Sequence, residues 1–338
     1  MKTLFLSMMI LLISGMAFAQ WTSLNSGVTT DLDDIYFLNA STGYLAGGYG
    51  AVLKTTDGGA SWQASNVSPL PFPQKPWLHS VYFTSATTGY VVGGGCWKTT
   101  DGGSTWIEQT TNWTTTALFS VCFTSADTGY IAGGNGNIIK TTNAGANWTL
   151  QSSGSGTELH AISFVKSSGW AAGNFAVLHT TNGGTNWLSQ SVSSSVIYYD
   201  CEAISQNICY ASGTGGTIIK TTNGGANWVT QTTGTVSDIT DLFFLDSITG
   251  YACGGQGTIL KTINGGTTWT TEASGMPTGI LFSVFFPQAG VGYICGGSGL
   301  LIKSSVVGID DPSPTKACLL YTSPSPRDGL LSRMPSSA

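Results

Sequence analysis

One nine-residue segment, called the box here, occurs six times and constrains the fold more than any other feature. Its typical form is Lys-Thr-Thr-Asp-Gly-Gly-x-x-Trp, seen first at 54–62. The fourth position, Asp or Asn, recurs at intervals of 44, 42, 39, 41 and 41 residues. A period of this length fits four short strands with their turns, and such units bury their apolar faces only by stacking on neighbours. The repeat therefore predicts a closed array of small sheets.

Each period also carries an earlier pattern: an apolar run, Gly with an aromatic residue, two small residues and a Gly pair. This pattern occurs seven times, and Cys209-Tyr210 is its one departure from Gly-aromatic. The outer strand that follows a box is missing after Lys303, whereas residues 21–24 resemble such a strand. Closing the ring with this strand removes two open sheet edges, which would otherwise invite aggregation. We therefore predict an all-β, seven-bladed β-propeller over residues 20–305, closed by the N-terminal strand.

The boxes are predicted to be structural. Asp or Asn accepts backbone N–H bonds within a hairpin turn, the glycines supply positive φ, and the Trp packs back onto the sheet. Four of the six acceptors are Asn, an exchange that a metal ligand or a catalytic acid would rarely tolerate. The residues assigned this structural role are Asp57, Trp62, Asp101, Trp106, Asn143, Trp148, Asn182, Trp187, Asn223, Trp228, Asn264 and Trp269.

These boxes and the Gly-Tyr-x-x-Gly-Gly strands resemble those of BNR, or Asp-box, propellers. Over residues 20–305 the pattern is most similar to the photosystem II stability/assembly factor family. The resemblance implies a propeller that binds protein partners, and exported bacterial members are common. Members from photosynthetic organisms bind photosystem II subunits and are associated with an Arg-rich patch. The only arginines here are Arg327 and Arg333, beyond the propeller, so the resemblance implies protein binding rather than the photosynthetic role.

Composition excludes several function classes. From Gln20 to Ala317 there are 9 Lys, no Arg and 16 Asp or Glu, a net charge of about −7 that repels nucleic acid. Sialidases share Asp boxes, but they grip the substrate carboxylate with arginines that this propeller lacks. His79, His160 and His179 are too few and too scattered for a metal site, and no Cys-x-x-Cys occurs. No metal and no cofactor are expected.

Other glycosidases need only two carboxylates across a cleft. Turn capping or solvent exposure is the simpler interpretation of the acidic residues here, and no motif fixes a catalytic pair. A glycan-binding or glycoside-hydrolysing propeller, though not a sialidase, stays the alternative function. The candidate carboxylates, near the starts of the predicted inner strands, are Asp33, Asp34, Asp200, Glu202, Asp238 and Asp241.

The two ends of the chain differ from the repeats. Lys2, an apolar run to Ile13 and the small-x-small sequence at 17–19 predict a signal peptide over residues 1–19. We therefore expect a secreted or cell-surface protein, by type IX secretion or otherwise, with a periplasmic location as the alternative and no membrane insertion. Residues 306–317 resemble a linker. Residues 318–338 resemble a translated sequencing adapter, so they are expected to be an artefact or else a disordered tail.

Export permits disulfides. Cys201 and Cys209 flank a predicted hairpin turn and are the best candidate pair. Cys253 and Cys295 occupy the same slot of their repeats, where small, buried apolar side chains are expected.

Ligand binding is expected on the rim opposite the boxes, where loops enter the inner strands. The longest connection, 66–78, contains four prolines with Phe72 and Trp77, and Trp113, Tyr49 and Phe175 add aromatic side chains. Such aromatic surfaces suit a protein or peptide, or a glycan. We predict a non-enzymatic exported propeller that binds a protein or peptide there, as a surface scaffold or assembly factor. Aligning the repeats on the inner-strand Phe gives one slot residue per blade: Asp33, His79, Phe119, His160, Tyr199, Thr240 and Phe282.

Overall fold

The computed structural model describes residues 20–67, 75–109, 117–273 and 279–305. These residues form 28 strands in seven four-stranded antiparallel sheets. The inner strand of each sheet contacts the inner strands of both neighbouring sheets, and the contacts run once around the ring. The predicted all-β, seven-bladed propeller is confirmed. The predicted signal peptide, linker and tail lie outside the described residues.

Six blades are consecutive in sequence, and the seventh combines the two ends of the propeller. The first strand is β1 (Gln20–Ser23). The blades then run β2 (Leu32–Phe37), β3 (Gly43–Gly47), β4 (Ala51–Thr55), β5 (Gln63–Asn66); β6 (Leu78–Phe83), β7 (Gly89–Gly93), β8 (Cys96–Thr99), β9 (Ile107–Glu108); β10 (Leu118–Phe123), β11 (Gly129–Gly133), β12 (Ile138–Thr141), β13 (Thr149–Gln151); and β14 (Leu159–Val165), β15 (Ser168–Gly173), β16 (Ala176–Thr180), β17 (Leu188–Ser189).

The remaining blades complete the ring. They are β18 (Tyr198–Ala203), β19 (Cys209–Gly213), β20 (Thr217–Thr221), β21 (Val229–Thr230); β22 (Ile239–Phe244), β23 (Gly250–Gly254), β24 (Ile259–Thr262), β25 (Thr270–Thr271); and β26 (Leu281–Gln288), β27 (Val291–Gly296), β28 (Leu301–Ser305), with β1 as the outer strand. Three-residue 3-10 turns join the second and third strands of five blades: Gly48–Gly50, Gly134–Gly136, Thr214–Gly216, Gly255–Gly257 and Gly297–Gly299.

Ring closure is made by β1 and β28. Trp21 pairs with Ser304 and Ser23 pairs with Ile302, antiparallel. The Leu24 N–H continues the ladder by donating to a backbone carbonyl of β28 at 2.8 Å. The N-terminal strand therefore completes the seventh blade, as the sequence predicted.

A β-bulge near the start of every inner strand was not predicted. In the first blade the pairing jumps from Leu32 to Asp34, which leaves Asp33 as the extra residue. A bulge bends the strand and re-aims the extra side chain. Gly47 on β3 lies opposite the bulge. This position requires glycine, because a Cβ there would collide with the carbonyl oxygen of Asp31. All seven blades share the register shift, and the glycines that permit it are Gly47, Gly93, Gly133, Gly173, Gly213, Gly254 and Gly296.

In six blades the first or second residue of the second strand is Gly, because the ring of an inner-strand Phe lies across it. A Cβ on Gly43 would meet the Phe37 ring at 2.5 Å. The fifth blade departs on both strands: Ala203 stands where the Phe would be, and its pairing partner Cys209 stands where the Gly would be. The side chain of Cys209 therefore takes the space that the missing Phe ring leaves free. Packing thus explains why Cys stands at this position.

The predicted disulfide between Cys201 and Cys209 is wrong, because both are free, buried cysteines in the structure. They lie on adjacent strands but are not paired directly. The Cys201 Sγ–H instead faces the carbonyl oxygen of Trp170 at 3.6 Å. Cys253 and Cys295 are free and buried, as expected for small core side chains.

Restoring the repeat pattern in the fifth blade tests this compensation. Ala203→Phe alone is expected to lower the free energy of unfolding by about 1–3 kcal/mol, because the ring would overlap the Cys209 side chain. Cys209→Gly alone should also destabilise, since it leaves a space and a more flexible backbone. The double variant should recover most of both losses, which gives a favourable coupling energy on the order of 1–3 kcal/mol. Urea unfolding of the four proteins measures it, and strictly additive losses would refute the compensation.

Each box is a turn closed by its own side chains. Asp57 Oδ1 accepts hydrogen bonds from the Thr55 hydroxyl at 2.8 Å and the Ser61 N–H at 2.9 Å. The Thr55 hydroxyl oxygen in turn accepts the Gly59 N–H. The Ser61 hydroxyl donates to Asp57 Oδ2 at 2.6 Å, and this bond, followed by those from the Ser61 N–H and the Thr55 hydroxyl, lowers the pKa of Asp57 to about 2. The same acceptor bonds form at Asp101, Asn143, Asn182, Asn223 and Asn264.

The boxes also join neighbouring blades. Tyr44 Oη and Lys54 Nζ both donate to the carbonyl oxygen of Gly102 in the next blade, at 3.0 and 2.7 Å. Three further interfaces repeat this pair of bonds. At the closure, Tyr293 and Lys303 reach the first box in the same way. The repeat lysines are thereby held at the box rim.

Candidate binding site at the mouth of the central channel

The seven inner strands surround a cavity of about 300 Å³. Side chains from three levels of each strand line it. The level nearest the loop rim, opposite the boxes, is called the mouth here and consists of the bulged residues. The slot identified by aligning the repeats is therefore the bulge position in every blade, and the structure brings all of its members together: Asp33, His79, Phe119, His160, Tyr199, Thr240 and Phe282.

Four consecutive blades contribute rings that form an arc along the mouth. The ring centroids of His79 and Phe119 are 5.2 Å apart, with planes tilted by 50°. Phe119 lies 5.1 Å from His160, and His160 lies 6.0 Å from Tyr199. All four side chains are half-buried. Such a surface can accept a flat or apolar ligand group at little conformational cost.

A carboxylate stands at the start of the arc. Asp33 Oδ2 accepts a hydrogen bond from Trp77 Nε1–H at 2.7 Å and lies 2.9 Å from His79 Nδ1. Asp33 Oδ1 is buried and has no hydrogen-bond partner among the described residues. The Trp77 side chain is 37% exposed, and its ring lies 5.7 Å from that of Tyr49. Trp77 and Tyr49 thus extend the aromatic surface beyond Asp33.

The arc ends at a second carboxylate. The Tyr199 hydroxyl donates to Asp238 Oδ2 at 3.4 Å. Between the two ends, His160 Nε2 lies 3.0 Å from Asn174 Oδ1 on the loop rim, a partner that sequence reasoning missed. The Thr240 hydroxyl instead donates to a backbone carbonyl of the next blade at 2.6 Å. Thr240 is therefore part of the channel wall.

The level below the mouth joins neighbouring inner strands. Asp34 Oδ2 accepts the backbone N–H of Val81 in the next blade at 2.8 Å. Asp200 and Asp241 accept the equivalent N–H groups of their next blades at 3.1 and 2.7 Å. Serine hydroxyls serve the same purpose at two other interfaces. Three of the six candidate carboxylates thus hold the blades together.

One of these carboxyl groups, that of Asp200, has a raised pKa. Burial, followed by the neighbouring Glu202 carboxylate, raises the pKa of Asp200 well above that of an ordinary carboxyl. A carboxyl with a raised pKa beside a second carboxylate is the arrangement that acid–base catalysts use.

Aromatic rings fill one side of the lowest level. Tyr36 lies 5.2 Å from Tyr82 and 5.3 Å from Phe285, measured between ring centroids. Phe285 lies 5.1 Å from Phe243. These rings belong to the part of the cavity lining that lies farther from the loop rim than the mouth.

The other predicted site residues divide into two groups. Phe72 and Trp113 lie outside the described residues and stay predictions. Phe175 is 48% exposed in the turn between β15 and β16, on the loop rim.

Within the described residues, no cluster of three or more His, Cys, Asp or Glu side chains could hold a metal ion. No helix in these ranges is long and apolar enough to cross a membrane.

Comparisons with known proteins agree with this architecture. The family model described as photosynthesis system II assembly factor YCF48 matches residues 13–110, 68–149 and 107–241. The solved structure of YCF48 bound to D1 peptide is 20% identical, with a TM-score of 0.71 over 85% of this chain and 97% of that chain. YCF48 from Cyanidioschyzon merolae is 19% identical, with a TM-score of 0.70 over 85% and 99%. A GH74 enzyme from Niastella koreensis is 15% identical, with a TM-score of 0.68 over 85% and 53%. No curated protein matches the sequence.

Proposed function

This chain belongs to the photosynthesis system II assembly factor YCF48 family, and from that premise we propose that it is a non-enzymatic propeller whose mouth binds a protein or peptide segment. The observation that carries the proposal is the arc of half-buried rings around an open cavity. The solved complex of YCF48 with D1 peptide supports a peptide as the ligand class.

The mouth is suited to an extended segment of chain. Each ring stands on a bulge in a strand that is hydrogen-bonded within its own sheet and packed against both neighbouring inner strands, so the surface is preorganised and little entropy is lost on binding. Asn174, Tyr199 and Asp238 place polar groups on the same rim, where they can meet backbone N–H and C=O groups of a peptide. Apolar pockets with a few convergent polar groups are the usual form of a binding site.

We further propose that the protein works outside the cytoplasm as a surface scaffold or assembly factor. The sequence of residues 1–19 supports export, because a short apolar run there precedes a small-x-small site. A negatively charged propeller without arginine does not suit nucleic acid as a partner.

Peptide selection tests the proposed function. A random peptide display library selected on the purified protein should yield binders that compete for one site. Phe119→Ala should weaken those binders about tenfold or more, because it removes a ring from the middle of the arc. Fluorescence polarisation with labelled peptides gives the dissociation constants.

The matched control is Ile263→Ala, which removes an apolar side chain that is 69% exposed on the box rim. It should leave peptide binding unchanged. Thermal unfolding of both variants separates a lost contact from a lost fold. Selected peptides that bind Phe119→Ala as tightly as the unmodified protein would place the binding surface elsewhere and refute the proposal.

The raised pKa of Asp200 favours one second candidate, a glycoside-hydrolysing propeller with Asp200 and Glu202 as its carboxyl pair. The structural similarity to a GH74 enzyme supports the same class. The backbone hydrogen bond of Asp200 to the next blade favours a structural role instead. Release of reducing sugar from xyloglucan by the unmodified protein, lost in Asp200→Asn with the fold intact, would establish hydrolysis. No release would exclude xyloglucan as its substrate.

A further inference from the structure

Among the described residues that line the cavity, none is Lys or Arg; Lys75 lies outside this lining, beside Gly50 in the turn between β3 and β4. The lysines of the third strands donate to box carbonyls, apart from Lys261, which pairs with Glu272 at 3.7 Å. A cavity lined by one sign of charge concentrates the electrostatic field at its opening. The cavity lining carries these acidic residues: Asp33, Asp34, Asp200, Glu202 and Asp241.

Asp33 is the carboxylate of this group that lies at the mouth itself. Its Oδ2 has two donors, the indole N–H of Trp77 and the ring of His79, whereas its Oδ1 has none among the described residues. A buried carboxylate oxygen without a donor leaves the negative charge of Asp33 only partly compensated, which strengthens its attraction for a cation placed at the mouth. The residue is therefore less satisfied than Asp34, which accepts three hydrogen bonds in the level below.

Two aromatic side chains, Trp77 and His79, contact this carboxylate, and each has a further ring beside it. Trp77 contacts Asp33 through its indole N–H, and the Tyr49 ring lies beside the Trp77 ring. His79 also contacts Asp33, and the His79 ring contacts the Phe119 ring. A Lys or Arg cation is attracted to the faces of aromatic rings within about 6 Å of their centres. A Lys or Arg side chain has an apolar stem and a charged end. At this opening the aromatic rings can contact the stem, and the carboxylate can pair with the charged end.

We propose that the mouth takes the side chain of a Lys or Arg residue from the bound segment and places its cation beside Asp33, between the rings of Trp77 and Phe119. This inference rests on the proposed function and names the kind of residue that the partner inserts. It distinguishes a basic protein segment from a neutral glycan as the occupant.

The probes are the N-acetyl methylamides of lysine, arginine and norleucine. Norleucine is the neutral counterpart of lysine and keeps its apolar stem. In ¹⁵N-labelled protein, the indole N–H signal of Trp77, assigned by its loss in Trp77→Phe, reports binding at the mouth. The lysine and arginine amides should shift this signal, with dissociation constants about tenfold lower than that of the norleucine amide. The difference should shrink as salt is raised.

Asp33→Asn should abolish the preference for a cation while its amide oxygen still accepts the Trp77 N–H. Asp246→Asn makes the same charge change in a turn on the box rim, where Asp246 caps backbone N–H groups, and should keep the preference. Equal affinities for the lysine and norleucine amides, or a preference that survives Asp33→Asn, would overturn the inference. The peptide selection would then still judge the proposed function, since its outcome depends on Phe119 and needs no basic residue.

Discussion

Gly173→Ala is expected to lower the free energy of unfolding by about 3 kcal/mol or more, and the melting temperature by on the order of 10 °C. The new Cβ would collide with the carbonyl oxygen of Glu158 and lie 2.6 Å from the Cα of Leu159. Both are backbone atoms, so no side-chain rotation relieves the overlap. The fourth inner strand must move away or lose its bulge, and His160, the bulged residue, would leave the arc. Thermal unfolding by circular dichroism measures the loss.

Gly156→Ala, in the connection between β13 and β14, is the matched control. No heavy atom lies within 4 Å of a Cβ built there. The same methyl group should therefore change stability by less than about 1 kcal/mol. Equal losses in the two variants would mean that a general effect of replacing glycine by alanine, and not an overlap at the bulge, sets the loss of stability at Gly173.

The blade count, the ring closure and the position of the mouth could be predicted from the sequence because they depend on periodicity. The sequence predicts Trp21 in the last blade because the segment that contains it matches the outer strands that follow the boxes. The sequence predicts that His79 and Phe119 lie at one level of the propeller, because each precedes the inner-strand Phe of its repeat by four residues. A repeat fixes equivalent positions without requiring knowledge of which atoms touch.

The bulges, the bonds between blades and the state of the cysteines depend on contacts and could not be predicted in this way. A bulge belongs to a pair of strands, so the role of Gly47 becomes visible only with the Asp31 carbonyl beside it. Asp200, for example, accepts a hydrogen bond from the backbone N–H of Leu242, which lies 42 residues further along the chain. The sequence does contain a signal for the hydrogen bonds between blades. In most blades, Asp or Ser directly precedes the first buried aliphatic residue after the bulge. The sequence does not predict that Cys209 is free, because the packing of its side chain against Ala203 becomes visible only when the two strands are paired.

Trp21→Ala is expected to be the most damaging truncation at the closure, with a loss of about 3–5 kcal/mol and a fall in melting temperature on the order of 10 °C. The side chain is 4% exposed and packs edge-on against Phe286, with ring centroids 6.2 Å apart. Without this ring, β1 keeps only its ladder with β28, and a two-strand edge contact is marginal in water. Hydrogen exchange should show faster exchange throughout β28, and differential scanning calorimetry gives the melting temperature.

Trp148→Ala separates ring closure from the loss of one buried indole. Trp148 is 5% exposed and packs edge-on against Phe123 with the same 6.2 Å centroid distance. Its strand β13, however, follows β12 directly through a box, whereas β1 reaches β28 only across the whole propeller. Release of β1 frees the strand that joins the two ends of the propeller, whereas release of β13 frees a strand that stays between two neighbouring elements of sequence, β12 and β14. Trp148→Ala should leave β28 protected, and wild-type protection of β28 in Trp21→Ala would show that the ring does not depend on its N-terminal strand.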